Sequence, residues 1–298
     1  MALFLVTGGA GFIGSHLVDH ILSLGHQVRV IDNLSSGRLE NLSRHAAFVQ
    51  ADIRDLRALE QAFQGISGCF HLAAIASVQR SVEAPRETAD VNLMGTVGVF
   101  EAACRANVPV VYASSAAVYG ANDDLPLKEQ AFPQPLSPYA ADKLSNELYA
   151  RSLGATRGWP SFGLRFFNVY GPRQNPHSPY SGVVSIFLQK AIDGQNLTIY
   201  GDGSQSRDFI HVRDVTRFLV AAMDKASSSA PVVNVCTGRS TSVSQLAEML
   251  VERYGGRIVH EPGRSGDVRR SLGSPDHAAR QLGIRAEIPF REGLATLP

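Results

Sequence analysis

Thr7-Gly8-Gly9-Ala10-Gly11-Phe12-Ile13-Gly14 is the stretch on which the reading of the fold turns. It follows a short apolar run at 3–6 and opens a helical pattern over about 12–24. Its glycines stand at 8, 11 and 14, a GxxGxxG spacing. Glycine allows a tight strand-to-helix turn and lets backbone N–H groups approach a pyrophosphate at a positive helix N-terminus. Glycine-rich turns also serve purely as joints, but the position at the head of a strand–helix–strand unit favours phosphate. Asp32 lies 18 residues past Gly14, closing the next apolar run at 28–31. An acid there accepts hydrogen bonds from the adenosine ribose hydroxyls. It also repels a 2′-phosphate, so NAD is expected over NADP, with Arg38 as the one opposing charge.

Outward from this stretch, short apolar runs at 47–49, 69–72, 108–112 and 162–166 alternate with helical stretches around 56–63, 91–106 and 139–156. That rhythm predicts right-handed crossovers and a doubly wound parallel α/β sheet with helices on both faces. After Asn168 the texture becomes rich in Gly, Pro and Ser, and the helical stretches near 183–193, 214–225 and 243–254 are separated by turns. The expected division is a dinucleotide-binding Rossmann domain over 1–168, including the helix that begins near Tyr139, and mainly a smaller α/β substrate lobe over 169–298. Some later strands or helices are free to return to the first domain.

Composition removes several function classes. The 298 residues carry 28 Lys+Arg against 27 Asp+Glu, a net charge of +1. Nucleic acid and anionic membranes need a basic surplus, so neither is an expected partner. With 44% hydrophobic residues the chain can bury a core, yet no apolar run approaches the roughly 18 residues of a membrane span. No basic residue precedes the apolar opening, the first Arg being Arg29, so a secretory leader is not expected. Cys69, Cys104 and Cys236 are odd in number and widely spaced, which argues against a disulfide framework and for a cytoplasmic setting.

Tyr139-Ala140-Ala141-Asp142-Lys143 places a phenol and an ammonium four residues apart on one helix face. A phenol titrates near 10 and is a poor base at neutral pH, but neighbouring positive charge favours its ionised form. Ser114-Ser115 ends the preceding strand segment, where a hydroxyl can hydrogen-bond a substrate oxygen beside that phenol. His16 and His20 are spaced like metal ligands, but no HExxH arrangement or third ligand accompanies them, so no metal is expected. The cysteines read as core residues. Arg269-Arg270 reads first as a solvated pair.

These motifs carry a resemblance. The chain resembles the extended short-chain dehydrogenase/reductases, and among them the UDP-hexose 4-epimerases acting on UDP-glucose and UDP-N-acetylglucosamine. The resemblance spans TGGAGFIG at 7–14, DNLSSG at 32–37, ADIRD at 51–55, HLAA at 71–74, SSAAVYG at 114–120, YAADK at 139–143, RFFNVYGPRQ at 165–174, IYGDGSQSRDFIHV at 199–212 and GRSGD at 263–267. It implies a cytoplasmic NAD-dependent isomerase, with the cofactor tightly held, and a homodimer formed through the stretches around 91–106 and from Tyr139 onward.

Position by position, the resemblance implies that Gly8, Gly11, Phe12, Ile13 and Gly14 lie at the pyrophosphate. Asp32, Asn33, Ser35, Ser36 and Gly37 would hold the adenosine ribose, and Asp52 and Ile53 the adenine. Leu72, Ala73, Ala74 and Asn92 would line the cofactor channel, with Phe167 approaching the cofactor. Ser115, Tyr139 and Lys143 would be the catalytic set, Ser115 and Tyr139 meeting the sugar and Tyr139 and Lys143 also the cofactor. Asn168, Arg207 and Arg264 would bind the diphosphate, Tyr200 the uridine and Asp267 its ribose. Arginine suits that task as a fixed charge with forked donors.

Two departures sharpen the reading. Ala117 replaces a threonine found in several epimerases. Ala116 and Ala117 also replace the Asp-Glu pair of sugar-nucleotide 4,6-dehydratases, which argues against elimination of water. The resemblance implies that the residue seven positions past the diphosphate-binding arginine stands beside C2 of the hexose; counting from Arg264 that is Ser271, whose small side chain would leave room for an N-acetyl group, while a displaced loop would make it a surface serine. An alternative enzyme is a UDP-glucuronate 4-epimerase or decarboxylase, with Arg173 the obvious partner for a sugar carboxylate. A non-enzyme alternative is an NAD-binding nucleotide-sugar sensor, disfavoured because Ser115, Tyr139 and Lys143 are all present.

Overall fold

The computed structural model describes residues 1–176, 182–263 and 268–298. Six strands alternate with helices through the first half: β1 (Leu3–Thr7), β2 (Gln27–Asp32), β3 (Ala47–Gln50), β4 (Gly68–His71), β5 (Val110–Ser115) and β6 (Ser161–Phe166). A seventh, Val232–Val235, comes from far down the chain and pairs in parallel with β6. The spatial order is Val232–Val235, β6, β5, β4, β1, β2, β3, with every pairing parallel. Strand order reverses between β1 and β4, which opens a ligand crevice at their carboxyl ends.

Both faces of the sheet are covered, which accounts for its near-continuous apolar strands. On one side α1 (Phe12–Ser23) packs with the helix Val212–Met223, joining Leu17, Val18 and Ile21 to Phe218 and Leu219. On the other, α2 (Leu56–Ala62) and the helices Thr96–Ala106 and Pro138–Arg157 bury Leu59, Phe100, Tyr112, Ala150 and Trp159. The long helix Pro138–Arg157 starts on a Ser137 hydroxyl that accepts from Ala140 N–H at 3.2 Å, with proline at its first position. Gly158, left-handed at φ 66°, ends it.

One helix differs from the sequence expectation. The stretch 91–106 is divided into a wide π turn over Asp90–Gly95 and an α-helix over Thr96–Ala106. The Asn92 carbonyl lies inside this turn and accepts from the Thr96 hydroxyl at 2.6 Å and the Asn146 amide at 3.0 Å. The wide turn turns that carbonyl toward the long helix.

A smaller lobe is built on Phe187, Leu197, Leu246 and Leu250, from the helices Val183–Ile192 and Val243–Tyr254 and the strand Leu197–Tyr200. Three two-stranded pieces complete it: Asn168–Tyr170 with Phe209–His211, Ser206–Arg207 with Thr241–Ser242, and Leu197–Tyr200 with Ile258–Glu261. Val212–Met223 and Val232–Val235 lie on the large sheet, so the two lobes interleave along the chain. Among the described residues, no helix is long and apolar enough to cross a membrane.

Candidate active site

The crevice between β1 and β4 is lined first by backbone. Gly8 sits at φ 69°, and a Cβ there would stand 2.7 Å from Ala73 N. A Cβ on Gly14 would come within 2.1 Å of the Gly8 carbonyl. The turn therefore closes only with glycine at both positions. Helix α1 begins at Gly11 with no side-chain cap and no acid in its first turn, so its leading N–H groups are available to an anion. Phe12 and Ile13 occupy that first turn. Leu72 and Ala73 are held opposite by their N–H groups, each 3.2 Å from the Thr7 hydroxyl, and Ala74 follows them.

Asp32, 8% exposed, accepts from Ala10 N–H at 3.0 Å on one oxygen and from Leu34 N–H at 2.8 Å on the other. Each oxygen keeps acceptor capacity for a ribose hydroxyl. Asn33 donates to Asp52 at 2.9 Å and accepts from Ser35 N–H at 3.0 Å, which shapes the loop through Ser35, Ser36 and Gly37. Arg38 is paired with Glu40 at 3.2 Å, so the cation opposed to Asp32 has its own partner. The Arg54 fork holds Asp52 by two 2.8 Å bonds and keeps its carboxyl well below the usual range. Ile53, Arg54, Leu56, Asp90 and Met94 border an open depression beside it. These features fit a dinucleotide: a cradle that a Cβ would fill, an uncapped helix end and a carboxylate about 20 residues on.

At the end of β5 Ser115, Tyr139 and Lys143 come together. Burial raises the Tyr139 phenol above its ordinary value, and the nearby Ser115 hydroxyl opposes the shift. Lys143, 4% exposed, donates from Nζ to the Ala113 carbonyl at 3.0 Å and lies 5.8 Å from the centre of the Tyr139 ring. Burial lowers Lys143 to about 8, and the adjacent Asp142 carboxylate opposes the shift.

Asn92 has no exposed surface. Its side chain accepts from Ile75 N–H at 2.8 Å and donates to the Ile75 carbonyl at 3.1 Å, so it acts on the channel through the 72–75 backbone. Phe167, 5% exposed, packs with Val118, Tyr119, Leu127 and Cys236. Asn168 pairs with Phe209 at the start of the smaller lobe, and Tyr200 ends the strand Leu197–Tyr200. Arg207 lies on the two-residue strand Ser206–Arg207. Ser271 donates its N–H to the Ser206 carbonyl at 3.0 Å, which sets it beside Arg207. Gly273 runs against Phe167, where a Cβ would stand 2.7 Å from the ring. Arg264 and Asp267 lie outside the described residues.

Several partners were not read from sequence. His71 joins the Thr7 hydroxyl at 2.7 Å to the Thr96 hydroxyl at 2.9 Å, and burial pushes it down to about 3. Asp208, fully buried, accepts from Thr237 N–H and hydroxyl and from Gly238 N–H, tying the Arg207 strand to the end of the sheet. Its place between Arg207 and the apolar pair Phe209-Ile210 was the available signal. Arg173 pairs with Asp19 on α1 at 2.8 Å, which gives that guanidinium a carboxylate of its own. His16 bonds the Pro172 carbonyl and His20 the Thr216 hydroxyl. Among the described residues no cluster of three His, Cys, Asp or Glu is placed to hold a metal ion.

Comparison with known proteins adds independent findings. Residues 4–236 match the NAD dependent epimerase/dehydratase family. A UDP-glucose 4-epimerase of Mycolicibacterium smegmatis is 42% identical over 304 residues, covering 98% of this chain and 96% of that protein. The crystal structure of a Thermotoga maritima UDP-glucose 4-epimerase with UDP-glucose has a TM-score of 0.95 at 40% identity, covering 99% and 96% of the two chains. A UDP-N-acetylglucosamine 4-epimerase from Methanobrevibacter ruminantium, in complex with UDP-N-acetylmuramic acid, has a TM-score of 0.94 at 37% identity with the same coverage.

Proposed function

The chain belongs to the NAD dependent epimerase/dehydratase family, and from that membership we propose that it is a UDP-sugar 4-epimerase, an isomerase that interconverts C4 epimers through a transient 4-keto sugar. The observation that carries this reading is Ser115, Tyr139 and Lys143 gathered at the end of β5, next to the glycine cradle at the sheet's reversal. Tightly held NAD would lie on the α1 N-terminus and Asp32, with its adenine in the depression by Ile53. When bound, it supplies a reversible hydride acceptor for C4.

Tyr139, ionised, takes the proton from the C4 hydroxyl, and Ser115 hydrogen-bonds the same oxygen. Lys143 orients the cofactor ribose and, while protonated, supplies positive charge to the site. The ketone turns in the pocket, and Tyr139 returns its proton when the opposite face of C4 is reduced. Asn168, Tyr200, Arg207, Arg264 and Asp267 would hold the UDP half, so the sugar can turn while the nucleotide end stays fixed. If Ser271, beside Arg207, faces C2 of the sugar, its small side chain would admit an acetamide, which supports UDP-N-acetylglucosamine and UDP-N-acetylgalactosamine as substrates beside UDP-glucose and UDP-galactose.

A cytoplasmic homodimer fits the remaining observations. Val82, Met94, Leu148 and Tyr149 are each at least 45% exposed on neighbouring elements around the long helix. The three cysteines are free. Incubating the purified protein with a panel of UDP-sugars, without added NAD, and separating the C4 epimers tests the activity and the retained cofactor together. Absence of any epimer pair would overturn the reading.

A further inference from the structure

Directly behind Ser115 the interior holds an ion pair that the chemistry above does not use. Ser114 and Arg165 are register partners on β5 and β6. Glu147, on the long helix, meets both. It accepts from Arg165 side-on, Nε to Oε1 at 2.9 Å and Nη2 to Oε2 at 2.7 Å, and from the Ser114 hydroxyl at 2.5 Å. Exposure is 2% for Ser114, 2% for Glu147 and 5% for Arg165. Tyr139, Lys143 and Glu147 follow one another at intervals of four, on one helix face.

The cluster continues toward the sugar side. Arg165 Nη1 donates to the Tyr119 oxygen at 2.8 Å, and Tyr119 donates to Asn234 Oδ1 at 2.6 Å. Asn234 donates to the Leu127 carbonyl at 2.9 Å, and Leu127 is laddered to Leu272 and Ser274. An unbroken run of hydrogen bonds thus joins the helix bearing Tyr139 to the segment bearing Ser271.

A buried ion pair is weak support for stability as such, since apolar residues of equal volume often do as well. What it adds is direction. Side-on Arg–Glu bonds together with a hydroxyl fix both the rotation and the axial position of the helix, whereas apolar contacts tolerate a slip. We propose that Ser114, Glu147 and Arg165 are positioning residues that hold the long helix in register with β5, so that the Tyr139 oxygen stays beside the Ser115 hydroxyl. This deepens the epimerase reading and rests on it for the rate measurement alone.

The test uses the NAD-loaded protein and removes one hydrogen bond without unpairing a charge. Ser114→Ala should lower kcat at least about tenfold, because misplacement by about 1 Å can cost 10²-fold. KM for the UDP-sugar should stay within about threefold and NAD content should be unchanged. The Tyr139 titration, read by tyrosinate absorbance against Tyr139→Phe, should move to higher pH as Ser115 draws away from it. Ser114→Thr, which keeps the hydroxyl, should restore both. Overturning results are a kcat within about twofold of the unaltered protein, or a loss that follows falling Tm and NAD content with the Tyr139 titration unmoved. Should the unaltered protein epimerise nothing, the functional reading falls, and the Tyr139 titration still decides the positioning role.

Discussion

The glycine cradle proposed for NAD and the Ser115–Tyr139–Lys143 centre proposed for the reaction lie side by side at the carboxyl ends of β1, β4 and β5, yet they are built in opposite ways. The cradle is mostly backbone: a glycine turn, an uncapped helix end and one carboxylate, drawn from a short span of chain between Thr7 and Gly37. The Ser115–Tyr139–Lys143 centre is mostly side chains, supplied by β5, the long helix, β6 and the strand Val232–Val235. A backbone site resists single side-chain changes but not the addition of a Cβ. A side-chain site can lose its chemistry through one atom while the fold stands.

That contrast is tested most severely at Tyr139. Tyr139→Phe should remove the proton-carrying oxygen and keep the ring, lowering kcat by about 10²–10⁴ with NAD still bound. Retention of a tenth of the rate would remove Tyr139 from the role of base, and loss of NAD would show the two regions to be one.

The next effect is on stability against pH. Lys143 titrates at about 8 in the folded protein against an ordinary 10.5. Between those values the unfolded chain keeps a proton that the folded one has released, so folding becomes more favourable as pH rises through the window. Below about 8 both states are protonated and the cost of burying the charge is fully present. In NAD-free protein, Lys143→Met should abolish a gain of about 3 kcal/mol between pH 8 and 10.5. Denaturant midpoints across that range check it, and parallel curves for the two proteins would contradict it.

Asp32→Ala probes the cradle's single side chain. Loss of its charge-assisted bonds should weaken NAD about 10- to 100-fold and narrow its advantage over NADP, with kcat at saturating NAD little changed. Equal binding of the two cofactors by the unaltered protein would refute the assignment. The smallest expected effect is on substrate choice. Ser271→Tyr should depress turnover of the N-acetylated pair about tenfold and leave UDP-glucose within about twofold. An unchanged preference means the residue does not stand at C2.

The same contrast explains what could be read from the amino-acid sequence. Gly8, Gly14 and Asp32 are legible because a tight turn and a ribose carboxylate impose a local spacing. Tyr139 and Lys143 are legible because four residues make one helical turn. The partners that hold them are distant in sequence: Glu147 and Arg165 are separated by 18 residues, Thr7 and His71 by 64, and Tyr119 and Asn234 by 115. No local period records such pairs. Asn92 shows the complementary case, a residue whose place in the channel region is filled by a side chain committed to the Ile75 backbone. The π turn was hidden for the same reason, since its carbonyl partner Asn146 arrives from another helix.

The return of Val232–Val235 to the sheet bears on how the chain is made. Until that segment has left the ribosome, β6 is the sheet's outermost strand, and its N–H and C=O groups on that side have no neighbour. An uncovered strand edge invites pairing with other chains. Every residue of β6 is buried in the finished protein, so the newborn polypeptide exposes a sticky margin through the synthesis of the whole stretch between. A chain cut after Asn168 should therefore aggregate rather than persist as a free-standing nucleotide-binding unit, and supplying the missing margin as a separate strand should relieve it.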